Sequence, residues 1–238
     1  MVQVRQSWKL DIGPTLLLIH SAFRDNQSVP IYLPKVYPIT DVHLSGLSHA
    51  EQVKRLAAGG ARLIQLREKH ASTIEFYEAA RSAMAVARSL GVDLVINDRV
   101  DIAVAVKANG VHLGQDDLPP DSARLLMGAS GLIGYSTHTP AQALEADSLP
   151  VNYIAFGPIF STSTKGNPDP AVGIEALRSL TQKITKPVVA IGGITLNNLA
   201  LVLAAGAASA AIISGVIAAQ DITGRFKALK AAAGEVSL

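Results

Sequence analysis

The chain predicts a (β/α)8 barrel of parallel strands, and three observations lead there. After residue 34, eight short apolar runs alternate with eight stretches of helical character. Each run is followed at once by small, polar or charged residues, whereas the residues before the runs are ordinary. The length, 238 residues, lies within the usual range for one such domain. A doubly wound sheet, which would need fewer strands, is the alternative.

Residues 1–34 come first and follow none of these patterns. They hold three prolines and scattered charges with no sustained period, so they read as an N-terminal extension, disordered or loosely docked. Residues 35–238 form the barrel domain.

The predicted strands are Lys35–Thr40, Leu63–Arg67, Asp93–Ile96, Gly110–Leu113, Leu132–Tyr135, Tyr153–Phe156, Pro187–Ile191 and Ala210–Ile213. Leu63, Ile64 and Leu66 show the type: an apolar run too short for a helix, ended abruptly by charge. The predicted helices are Ser48–Ala58, Thr73–Leu90, Val100–Ala108, Asp121–Met127, Pro140–Asp147, Ile174–Ile184, Leu196–Ala205 and Ile222–Ala233. Ser48 and Ser72 fit N-caps, and Gly59, Gly91 and Gly206 fit C-terminal stops. Asp116 and Asp121 read as caps of the helix that follows them.

Composition narrows the function classes. The chain is 49% hydrophobic and 17% charged, which is globular. A net charge of +2 gives no electrostatic case for nucleic acid or an anionic membrane. With no cysteine, disulfides and thiolate metal sites are excluded. Thr15–Ile19 is too short and too interrupted for a signal core. Leu199–Ala219 has spanning length without charge, but it is mostly Ala, Ser and Gly. It reads as a buried helix, turn and strand rather than a transmembrane helix.

Strand ends supply the candidate chemistry, because barrels of this kind build sites there. Gln65, Arg67 and Lys69 end the second strand, and an Arg fork beside a Lys point charge suits a polyanion. The alternative is a surface salt-bridge cluster. Asp98 and Asp117 follow the third and fourth strands. Two carboxylates on one rim suit Mg²⁺, which takes few carboxylates and completes its shell with substrate phosphate. An acid/base pair or helix caps are the other readings. Gly192-Gly193 and Ser214-Gly215 follow the last two strands, where backbone N–H groups cradle phosphate in this fold; tight turns are the alternative. Gly157–Gly173 is the longest connection and is read as a lid, with Thr162, Thr164 and Lys165 as its polar groups; a flexible insertion is the alternative. The six histidines lack metal-ligand spacing, so His112 and His138 read as satisfied structural groups. Together these features make a site for two anions, one of them metal-assisted.

In order along the chain stand Tyr37-Pro-Ile-Thr-Asp41, Gln65-Leu-Arg-Glu-Lys69, Asn97-Asp98, His112-Leu-Gly-Gln-Asp-Asp117, Ser136-Thr-His-Thr139, Gly157-Pro-Ile-Phe160, Thr162-Ser-Thr-Lys165 and Ala190-Ile-Gly-Gly-Ile194. Over about residues 36–232 this set resembles the thiamine phosphate synthase family, which usually lacks a counterpart of residues 1–34. An upstream start codon in the translation would account for those residues. The resemblance implies a cytoplasmic transferase of thiamine biosynthesis. In its reaction a hydroxymethylpyrimidine diphosphate loses pyrophosphate with Mg²⁺ assistance, and the ring nitrogen of a hydroxyethylthiazole phosphate captures the pyrimidine carbocation.

Carried over by motif, Gln65, Leu66, Arg67, Glu68, Lys69, Asn97, Ser136 and Lys165 bind the pyrimidine diphosphate, with Arg67, Lys69, Ser136 and Lys165 as the catalytic set. Asp98 and Asp117 hold Mg²⁺. Thr162, Ser163, Thr164, Gly193, Ile213 and Ser214 bind the thiazole phosphate. The partners implied are these two small molecules, not nucleic acid or membrane, and a homo-oligomer stays open. Two rivals remain: the thiazole tautomerase branch of the same superfamily, and a non-catalytic barrel that binds thiazole or thiamine phosphate.

Overall fold

Two-residue parity along each strand sets the architecture. In the computed structural model, which describes residues 33–162 and 170–235, one parity of each strand points outward and the other points into the barrel. Val36, Ile64, Leu66, Leu94, Ile96, Val111, Leu113 and Ile154 belong to the outer apolar layer, shared with the helices. Tyr37, Ile39, Leu63, Val95, Leu132, Tyr153, Val189 and Ala211 fill the interior. Burial on both faces explains why the strands read as continuous apolar runs rather than alternating ones.

The strands are β1 (Val36–Thr40), β2 (Leu63–Leu66), β3 (Asp93–Asn97), β4 (Gly110–Leu113), β5 (Leu132–Thr137), β6 (Tyr153–Phe156), β7 (Val188–Ile191) and β8 (Ser209–Ile212). They pair in sequence order and all in parallel, and β8 closes on β1 through Val36↔Ala210 and Tyr37↔Ala211. Closure excludes the doubly wound sheet. The helices among the described residues are α1 (Val42–Ser45), α2 (His49–Ala58), α3 (Thr73–Leu90), α4 (Val100–Val106), α5 (Pro120–Met127), α6 (Pro140–Ala146), α7 (Gly173–Thr181), α8 (Leu199–Ala204), α9 (Ser214–Ile217) and α10 (Ile222–Ala232). The short α1 and α9 had no signal in the sequence. The expectations for residues 1–32 and 163–169 lie outside the described residues.

Local chemistry ends most helices where the sequence says. Ser48 accepts from Glu51 N, and Ser72 forms a reciprocal capping box with Glu75. Gly91 leaves α3 with φ 65°, the left-handed turn that glycine permits. The cap reading of Asp121 is corrected. Pro120 occupies the first helical position of α5, Pro119 precedes it without a side-chain cap bond, and Asp121 falls in the first turn. Asp116 lies too far upstream to cap this helix. The helix expected from Leu196 starts at Leu199, because Asn198 Oδ1 accepts from Thr195 N at 2.7 Å and holds a turn there. Leu199–Ala219 is α8, a turn, β8 and α9, the helix, turn and strand expected; β8 is buried, whereas α8 exposes Leu201. Among the described residues no helix is long and apolar enough to cross a membrane.

One side chain braces the lower connections. Arg124 on α5 donates to the carbonyls of Gly128, Gly131 and Pro150 and to Asn152 Oδ1. Lysine cannot reproduce that planar fork. Arg124→Lys is expected to destabilise by about 2 kcal/mol, read as a fall in Tm of roughly 4–8 °C for a domain of this size; an unchanged Tm would deny the brace.

Candidate active site

At the C-terminal rim the interior parity turns from apolar to polar. Gln65 follows Leu63, Asn97 follows Val95, His112 follows Gly110, and Ser136 follows Gly134, each two residues on. With the loops above, these side chains line a cavity of about 420 Å³. Arg67, Lys69, Asp98, Asp117, Thr162, Gly193, Ile213 and Ser214 line it too. The strands thus deliver most of the expected residues to one place.

The cationic wall is preset by acids. Arg67 Nη1 lies 2.8 Å from Asp41 Oδ2, and the same carboxylate caps α1 by accepting from Leu44 N. Lys69 Nζ is ion-paired with Asp98 Oδ2. Glu68 gathers the N–H groups of Lys69, His70 and Ala71 on one oxygen, which shapes the turn that carries Lys69. Burial raises the Glu68 pKa, but the N–H bonds from His70 and Ala71 outweigh it and hold the carboxyl below its usual value. Neither the Glu68 side chain nor the wholly buried Leu66 lines the cavity.

Asp98 and Asp117 face each other from neighbouring strands. Asp98 sits at φ 63°, a left-handed conformation that Asp tolerates, with its N–H on His112 O at 2.7 Å. Asp117 Oδ2 accepts from Gly114 N at 2.7 Å. Burial, opposed by that N–H and reinforced by the charge of Asp98, raises the Asp117 pKa. Among the described residues no three His, Cys, Asp or Glu gather as a metal cluster. Two oxygen-donor carboxylates in mutual repulsion therefore fit a hard ion that takes its remaining ligands from water and phosphate, as Mg²⁺ does.

The opposite wall is glycine and backbone. Gly192 and Gly193 have φ 98° and 64°. A Cβ on Gly193 would lie 2.7 Å from both Phe160 Cβ and Ser161 O. The chain after β6 is laid against this turn by Ile159 N to Ile191 O (2.8 Å) and Phe160 N to Gly192 O (3.1 Å). Asn198 Nδ2 donates to Gly193 O at 3.0 Å and fixes the turn from behind. Ser214 opens α9 beside it. Ser163, Thr164 and Lys165, and with them the expected lid, lie outside the described residues.

His112 and His138 are hydrogen-bonded groups, as expected. His138 Nδ1 is 2.9 Å from Gly157 O, and His112 bonds to Tyr153 and Ser136. Sequence reasoning missed Gln115, whose Nε2 lies 2.5 Å from Ser136 O, and Asn198. It also missed Tyr37 and Tyr153; the signal that could have found them is a polar atom at an interior parity position. Burial raises both phenols, and pushes Tyr37 to about 12, so both stay protonated.

A family model described as thiamine monophosphate synthase matches residues 36–216. The chain belongs to that family. Thiamine-phosphate synthases are the relatives it resembles. The one from Syntrophomonas wolfei is 46% identical over 82% of this chain and 94% of its own. That from Chloroflexus aurantiacus is 44% identical over 83% and 91%. Among solved structures, thiamine phosphate pyrophosphorylase from Pyrococcus furiosus superposes with a TM-score of 0.77 at 35% identity, covering 84% of this chain and 96% of its own. The family match spans all eight strands and both walls of the cavity.

Proposed function

We propose that the chain is a thiamine-phosphate synthase, joining a pyrimidine diphosphate to a thiazole phosphate with release of pyrophosphate. The observation that carries this reading is one cavity with a charged wall facing a wall of glycine and backbone, which supports a site for two anions. Arg67, Lys69, Asp98 and Asp117 stand on one side, and Gly193 and Ser214 on the other. Arg67 receives the diphosphate as a fork already oriented by Asp41. Lys69 is shared between Asp98 and the incoming phosphate. Asp98 and Asp117 would hold Mg²⁺, which supplies charge stabilisation to the departing pyrophosphate. Heterolysis sends the C–O electron pair to pyrophosphate, and the thiazole nitrogen lone pair then forms the C–N bond. The protein contributes position and charge, while Ile39, Ile191 and Ile213 line the cavity with apolar surface. Ser136 and Asn97 hold the pyrimidine. Lys165 completes the diphosphate set, and Thr162, Ser163 and Thr164 join the thiazole phosphate site.

Incubation with both substrates and Mg²⁺, with product read by mass spectrometry, tests the activity; no thiamine phosphate at high enzyme concentration would overturn it. The two walls are tested separately. Lys69→Ala is expected to raise KM for the pyrimidine diphosphate by roughly ten- to a hundredfold. Ser214→Pro, which deletes a backbone donor, is expected to raise chiefly KM for the thiazole phosphate. Equal effects of both variants on the same KM would refute the division.

A further inference from the structure

Behind Ser136 a line of polar groups crosses the barrel interior. Gln65 Nε2 donates to Tyr37 Oη at 3.4 Å, and the hydroxyls of Tyr37 and Tyr153 are 3.4 Å apart. Tyr153 Oη is 2.9 Å from His112 Nδ1, and His112 Nε2 is 2.8 Å from Ser136 Oγ. The rings are packed to hold this line, Tyr37 edge-on to Tyr153 and His112 stacked on it with centroids 5.6 Å apart. Gly134 leaves the room: a Cβ there would lie 2.3 Å from Tyr153 Oη and 2.5 Å from His112 Nδ1. Gln65 and Ser136, at its two ends, both line the cavity.

Proton counting gives the line a direction. Tyr37 accepts from Gln65, so its own hydrogen goes to Tyr153 Oη. Tyr153, now accepting, gives its hydrogen to His112 Nδ1. With the His112 ring singly protonated, its proton sits on Nε2 and is donated to Ser136 Oγ, which leaves the Ser136 hydroxyl hydrogen for the cavity. In the reverse direction Tyr37 Oη receives two hydrogens while its own O–H, buried in the interior, loses its acceptor, an unfavourable outcome.

We infer that Tyr153 and His112 are positioning residues that fix Ser136 as a hydrogen-bond donor toward the cavity, and so select a substrate with an acceptor at that point. This deepens the synthase reading, in which that acceptor belongs to the pyrimidine diphosphate. Two-bond ¹H–¹⁵N spectra of histidine-labelled protein, with His112 assigned by the loss of its signal in H112Q, locate the ring proton. The wild type is expected to carry it on Nε2. Tyr153→Phe removes the donor to Nδ1, so the Nδ1 ¹⁵N signal moves downfield toward that of a bare ring nitrogen while the proton stays on Nε2. In that variant kcat/KM for the pyrimidine diphosphate falls about tenfold, the worth of one hydrogen bond, with KM for the thiazole phosphate unchanged. Tyr37→Phe keeps the Tyr153 hydroxyl and therefore the wild-type Nδ1 signal. A wild-type ring with its proton on Nδ1 or with protons on both nitrogens, or an unchanged Nδ1 signal in Tyr153→Phe, overturns the wiring. A moved Nδ1 signal with unchanged kcat/KM overturns the selective role. The tautomer is read without turnover, so a failure of the synthase reading leaves this test standing.

Discussion

Asp98→Asn or Asp117→Asn is expected to lower turnover by two or more orders of magnitude, a loss of about 2.7 kcal/mol or more at 1.36 kcal/mol per tenfold. The backbone fixes both carboxylates on the rim: the N–H of Asp98 is held by His112 O, and Asp117 is held by Gly114 N. Their strands are neighbours, so the two carboxylates stand close enough to share the ion proposed for them. Folding is expected to survive, and for Asp117→Asn to improve in chelator. The sign follows from the raised pKa of Asp117. A carboxyl whose pKa is higher in the fold than in the unfolded chain is favoured there only while protonated. Its ionisation costs stability as pH rises through the raised value, and a neutral amide escapes that cost. Turnover against Mg²⁺ concentration for wild type and both variants, with Tm at neutral pH in chelator, checks both halves. Full activity in chelator, or unchanged metal dependence in the variants, would reduce the pair to structural groups.

Gly157→Ala is expected to damage the fold itself. A Cβ at this position would lie 2.1 Å from Ile191 O, and backbone cannot rotate away as a side-chain tip can. That carbonyl also accepts from Ile159 N, so a shift breaks the contact that lays the chain after β6 along the end of β7. Overpacking against backbone is expected to cost about 3 kcal/mol, a fall in Tm of roughly 6–12 °C. Activity should fall with it, because Gly157 lines the cavity and its carbonyl orients His138. A Tm within 2 °C of wild type would mean that β6 and β7 separate easily here, and the tight seam would be refuted.

The fold was legible because each element carries its own signal. Runs such as Val188–Ile191 are apolar at every position, as strands packed on both faces are, and Ser72 with Glu75 announces a helix start within four residues. Much of the site was legible for the same reason. In a parallel barrel all strands end on one rim, so residues such as Lys69, Asp98 and Asp117 converge whatever the helices between them look like. The errors were local: Pro119 and Pro120 took the positions that the cap reading gave to aspartates, and Asn198 delayed α8.

The sequence by itself determined the strand count, the rim on which the chemistry gathers, and the identities of the charged groups. Each of these is a property of a few consecutive residues. Only the tertiary structure decided the pairings: Arg67 with Asp41, Lys69 with Asp98, and the line from Gln65 through Tyr37, Tyr153 and His112 to Ser136. Barrel closure sets β6 opposite β1 and β2, which brings Tyr153 within reach of Tyr37, 116 residues away. No local pattern encodes that distance. It follows from curvature and register, which exist once the sheet has closed.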